Sequence, residues 1–67
     1  MAEYRMPGME IIQFRREHGR MSRAELARRI PVPYRTLQDW ENDTRPAPAM
    51  LRRTLQDIAW ELGKEGE

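Results

Sequence analysis

Apolar residues recur along this chain at helical spacing, in four stretches cut apart by proline and glycine. The cuts fall at Pro7-Gly8, His18-Gly19, Pro31-Val-Pro33, Asp43-Thr-Arg-Pro-Ala-Pro48 and Gly63. No stretch alternates with period two over a useful length, so no strand is expected. The first stretch, about 8–18, puts Ile11, Phe14 and Ile12 on one helical face. Gly19 is a natural stop, with His18 near the negative helix end. The second opens on Ser22-Arg-Ala-Glu25, a capping box in which the Ser hydroxyl takes a first-turn N–H and Glu25 reaches back. Ala24, Leu26, Ala27 and Ile30 form its apolar stripe, which must end before Pro31. The third runs over about 33–41, with proline at its entry and with Leu37 and Trp40 facing inward beside Val32. The fourth runs from near Pro48 to Leu62. There Leu51, Leu55, Ile58, Ala59 and Leu62 make a helical stripe, and Trp60 falls nearly opposite Leu51 at 100° per residue. The pattern predicts an all-α domain of four helices over 8–62, a short arm over 1–7 and a polar tail over 63–67.

Composition narrows the function. A domain of 67 residues buries only about 60% of its unfolded surface. With no cysteine there are no disulfides, thiol chemistry or Cys-based metal sites. The one histidine, His18, cannot build a metal cluster alone. A binding module is expected rather than an enzyme, with no cofactor. Mean hydropathy is too low for a membrane span, and the first residues show no apolar run after their charges. A cytoplasmic protein is therefore expected. The formal net charge of +1 hides an asymmetry: residues 1–60 carry +3, and the last seven carry −2. Eleven of the twelve basic residues are arginine, whose planar fork suits phosphates and guanine edges. A GC-rich genome accounts for that bias equally well.

The informative stretch is Met21 to Glu41, a capped short helix, three or four turn residues and a second short helix with a polar outer face. Met21-Ser-Arg-Ala-Glu-Leu-Ala-Arg-Arg-Ile-Pro-Val-Pro-Tyr-Arg-Thr-Leu-Gln-Asp-Trp-Glu-Asn42 resembles the Cro/lambda-repressor-type helix-turn-helix family. Its pattern is roughly Leu-Ser-Gln-x-Glu-Leu-Ala-x-x-Leu-Gly-Val-Ser-x-x-Thr-Ile-x-x-Trp-Glu-x-Gly. Met21, Ser22, Glu25, Leu26, Ala27, Ile30, Val32, Thr36, Leu37, Trp40 and Glu41 match it, and Arg45-Pro-x-Pro48 is similar to the family's entry to its fourth helix. The resemblance covers about residues 8–62. The chain departs from the pattern in four ways. Pro31 replaces the turn glycine, so the turn needs another local geometry. Pro33 replaces the serine cap of the third helix, removing a bond of about 1 kcal/mol. Arg20 is one residue extra between the first two helices, and the fifth helix common in the family has no counterpart.

The resemblance implies that the third helix enters the major groove of double-stranded DNA. Tyr34, Arg35, Gln38 and Asp39 are its outward, base-reading positions. Arg35 suits guanine O6 and N7, Gln38 suits adenine N6 and N7, Tyr34 a thymine methyl or a phosphate, and Asp39 cytosine N4 or simply Arg35 itself. Ser22, Arg23, Thr36 and Arg45 are backbone-phosphate candidates. A solvated polar face is the competing account of the four outward positions, and simple solvent exposure that of Arg45. Leu37 and Trp40 are core, and the resemblance implies a partly buried Arg15–Glu41 pair, with a solvated surface pair as the alternative. Arg28, Arg29, Arg52 and Arg53 are taken as solvated charges. The expected function is sequence-specific transcriptional regulation by a homodimer, with Trp60, Gln56 and Met50 in the two-fold contact. The rival is a protein-interaction module, such as an antitoxin with a toxin partner. It draws on the low net charge and on Asp39, Glu41 and Asp43 around the reading helix.

Overall fold

A computed structural model of the chain describes residues 5–65. Residues 1–4 of the expected arm and 66–67 of the expected tail lie outside them. The order is β1 (Arg5–Met6), α1 (Gly8–Glu17), α2 (Arg23–Arg29), α3 (Tyr34–Glu41), β2 (Ala47–Pro48) and α4 (Leu51–Glu65). The fold is all-α with four helices, as the apolar spacing predicts.

The absence of strands is corrected in one detail. β1 and β2 form a two-residue antiparallel pair, with Arg5 opposite Pro48 and Met6 opposite Ala47. Met6 and Ala47 are buried in the core beside Ile11, Leu37, Trp40 and Leu55. A pair this short has no periodicity to read. Pro48 survives in it because proline is tolerated at sheet edges. By occupying Ala47–Pro48, the pairing also delays α4 to Leu51, three residues after Pro48. At the other end α4 continues through Gly63 to Glu65, so that glycine does not stop it.

The helix entries are built differently from one another. Ser22 caps α2 as expected, its hydroxyl accepting from the Glu25 N–H at 3.0 Å. The return half of the capping box is absent, because the Glu25 carboxylate accepts from Arg28 and Arg29 instead. Ala24, placed on the apolar stripe, is exposed. Pro33 gives α3 no side-chain cap. The α2–α3 turn replaces the family glycine with a cis Ile30–Pro31 peptide, and the Val32 N–H closes on the Ala27 carbonyl at 2.8 Å. Pro7 likewise cannot cap α1 with a side chain. The Gly8 N–H donates to Asp43 Oδ1 at 2.9 Å, 35 residues away. Asp43 reaches it from a left-handed conformation just after α3, φ 61°. Gly8 itself is required by contact, since a Cβ there would collide with the Glu41 carbonyl.

Candidate nucleic-acid interface

Leu37, Trp40 and Glu41 are buried on the inner side of α3, while Tyr34 and Arg35 stand exposed on its outer side. The Arg35 side chain is 83% exposed. Its nearest charged partner is Asp39 one turn on, with Nε 3.8 Å from Oδ1, an ionic contact too long for a hydrogen bond. Asp39 also lies 4.0 Å from Arg45 Nε and accepts from the Thr44 hydroxyl at 3.3 Å. Its backbone carbonyl takes the Thr44 N–H at 3.0 Å. Asp39 therefore ties the loop after α3 to the outer face of α3. Gln38 and Thr36 are half-buried, and Arg45 and Ser22 are exposed.

Behind this face lies a charged cluster. The Glu41 side chain is wholly buried. Arg15 grips it with two bonds, Nε to Oε2 at 2.8 Å and Nη2 to Oε1 at 3.0 Å, and donates its Nη1 to the Met21 carbonyl at 3.1 Å. The pairing of Arg15 with Glu41 is thus present and bidentate, the strong form of this contact. Arg23 joins it, Nε to Glu41 Oε1 at 2.9 Å, a role that sequence reasoning missed. The signal was weak, since Arg23 stands where the family pattern has glutamine. The Arg23 guanidinium also sits 5.8 Å above the Tyr34 ring, within cation–π range. The bond to Glu41 raises its pKa above the ordinary arginine value, against the opposing effect of burial. One buried carboxylate therefore clamps α1, the start of α2 and the end of α3, and α2 contacts the first residue of α3 through Arg23.

The arginines expected to be solvated all have carboxylate neighbours. Arg28 and Arg29 share Glu25, Arg52 forks onto Glu10 and so ties α4 to α1, and Arg53 lies 3.7 Å from Asp57. Arg28 and Arg53 remain largely exposed. Trp60 is 66% exposed and Met50 75%, in agreement with the angular position of Trp60 on α4.

A helix-turn-helix family model matches residues 11–58, most of the chain. The chain belongs to that family. No curated protein and no solved structure matches it. In this helix-turn-helix domain α2 and α3 are the motif, and α1 and α4 support it. The family is of the Cro/C1 type, lambda-repressor-like, DNA-binding and generally non-enzymatic. Among the described residues no helix is long and apolar enough to cross a membrane.

Proposed function

We propose that this protein is a sequence-specific regulator of transcription that binds double-stranded DNA as a homodimer and reads the major groove with α3. The observation that carries the reading is the division of α3. Its inner side is fixed by Leu37, Trp40 and the Glu41 clamp, and its outer side presents Tyr34 and an almost fully exposed Arg35. A rigidly held helix with free polar tips is what base readout needs. Arg35 reads guanine, Gln38 reads adenine, and Tyr34 meets a thymine methyl or a phosphate. Asp39, between Arg35 and Arg45, orients both and accepts from cytosine where it reaches a base. Ser22, Thr36 and Arg45 contact the backbone. Arg23 does so with its terminal nitrogens, its Nε being engaged by Glu41.

One such unit reads few base pairs, so two copies on half-sites about one turn apart are the expected arrangement. The exposed Trp60, with Gln56 and Met50, supplies their two-fold contact. Selection of bound fragments from random duplex DNA tests the whole reading. A recovered palindromic motif, bound with an affinity that falls steeply as salt rises, is the expected result. No enrichment, and no salt-dependent duplex binding, would refute it and leave a protein partner, such as a toxin, as the function.

A further inference from the structure

We propose that Arg16 and Arg20 together hold a backbone phosphate of duplex DNA at the end of α1, outside the reading helix. The inference rests on the DNA-binding reading above and adds a contact to it. Charge pairing across the fold singles these two residues out. Every other arginine whose side chain is described has a carboxylate within 4.0 Å: Glu41, Glu25, Asp39, Glu10 or Asp57. Arg16 and Arg20 have no ionic or hydrogen-bond partner among the described residues and both are exposed. They line one open hollow of about 460 Å³ with Arg15 and Met21, and no acid lines it.

The backbone brings the two residues to one hollow. Gly19 and Arg20 are successive left-handed residues, φ 83° and 51°, and the Met21 N–H closes back on the Arg15 carbonyl at 3.0 Å. This tight return folds residue 20 against residues 15 and 16. A left-handed conformation at a non-glycine residue is uncommon. Here it falls on the residue that is extra between the first two helices. Arg15 forms a fixed wall, because its nitrogens are engaged by Glu41 and the Met21 carbonyl. The two charges without a partner among the described residues are therefore those of Arg16 and Arg20, and two planar forks lining one hollow match a phosphate better than a single cation does.

Duplex DNA is taken as the phosphate source because Arg15, which walls the hollow, also grips Glu41 of α3, the helix proposed to read the groove. Arg15 grips Glu41 at the end of α3, Arg23 closes on the same carboxylate, and Arg23 covers Tyr34 at the start of α3.

The test compares the wild type, the double variant Arg16→Gln/Arg20→Gln, and a control, Arg53→Gln/Lys64→Gln, that removes the same charge from α4. Duplex affinity is measured over a range of salt, with thermal melting alongside. The double variant should melt like the wild type. It should bind all duplex sequences about tenfold more weakly, as the loss of one charge-assisted contact implies. Its log–log salt slope should be shallower by about 0.9 per protomer, with the selected motif unchanged and the control close to wild type. A double variant with the wild-type slope, or one no weaker than the control, overturns the proposal while leaving DNA binding intact. So does a wild-type slope in the double variant combined with inorganic phosphate shifting the Arg16 and Arg20 side-chain resonances, which would mark a free-phosphate site. A wild type that binds no duplex overturns the DNA reading and this contact with it.

Discussion

Replacing Glu41 by glutamine keeps the shape of the side chain and removes the charge that two arginines share. The carboxylate is fully buried and receives three charge-assisted hydrogen bonds, at 2.8, 2.9 and 3.0 Å. Glutamine has one carbonyl oxygen, and in either orientation its amide would face an Arg15 N–H, donor to donor. Breaking a buried ion pair from one side costs about 3–5 kcal/mol, because the partner stays behind uncompensated. Arg15 and Arg23 retain 19% and 25% exposure, so they rehydrate in part and the loss should lie near the low end, about 3 kcal/mol. A domain of this length has a total stability of only about 3–10 kcal/mol. The loss should lower Tm by about 12–24 °C, read by circular dichroism and by the fluorescence of buried Trp40. The order within the cluster is the sharper test. Arg15→Gln removes two bonds to Glu41 and one to Met21, whereas Arg23→Gln removes one bond to Glu41 from a more exposed position. The expected order of loss is Glu41, then Arg15, then Arg23. A Glu41→Gln domain melting within about 4 °C of wild type, a shift worth at most about 1 kcal/mol, would refute the clamp, as would Arg23→Gln proving the worst of the three.

Four further outcomes follow from the same geometry. Gly8→Ala should destabilise by about 1–3 kcal/mol in a urea melt, the scale of overpacking, because its methyl meets the Glu41 carbonyl; unchanged stability would show that α1 is free to shift. Arg35→Ala should melt like wild type and lose about 1–3 kcal/mol of preference at one or two base pairs, visible as a relaxed motif in a binding selection. Trp60→Glu should shift the sedimentation of the protein on operator DNA from two copies to one, and unchanged stoichiometry would remove Trp60 from the dimer contact. Glu25 should titrate below the ordinary carboxyl value of 4.5, held down first by Arg29 and then by Arg28. A depressed pKa contributes stability above the unfolded value and loses it as pH falls through the folded one, so Glu25→Gln should flatten the acid limb of the stability profile.

What was legible in the sequence was whatever repeats at helical spacing or sits in a local motif. The four helices, the Ser22 cap, the inward Leu37 and Trp40 and the outward Trp60 are all of this kind. The Arg15–Glu41 pair became legible through resemblance, since nothing local joins residues 26 apart. The features that escaped depend on partners distant in sequence. Asp43 capping α1 at Gly8 requires knowing that the loop after α3 returns to the start of α1. Met6 pairs with Ala47 across most of the fold. Glu25 had two calls on one carboxylate, a backbone N–H at the cap and two guanidiniums further along the helix. The charged donors hold it, in keeping with the greater strength of charge-assisted bonds.

The same reasoning changes what the net charge means. A formal charge of +1 first weighed against a polyanionic partner, and Asp39, Glu41 and Asp43 beside the reading helix weighed further. In the folded chain those acids are engaged internally. Glu41 is buried beneath two arginines, Asp43 caps a helix, and Asp39 lies between Arg35 and Arg45. Glu41 and Asp39 neutralise or orient cations, Asp43 accepts a helix N–H, and none of the three is without a partner. What a duplex senses at close range is the arrangement left after these pairings, since charges beyond about 8 Å are largely screened at physiological salt. At the proposed interface that arrangement includes an exposed Arg35 and a partly exposed Arg45 and, on the proposal above, Arg16 and Arg20, which have no partner among the described residues. A nearly neutral total is therefore compatible with a basic binding face, because Asp39, Glu41 and Asp43 are each engaged within the fold.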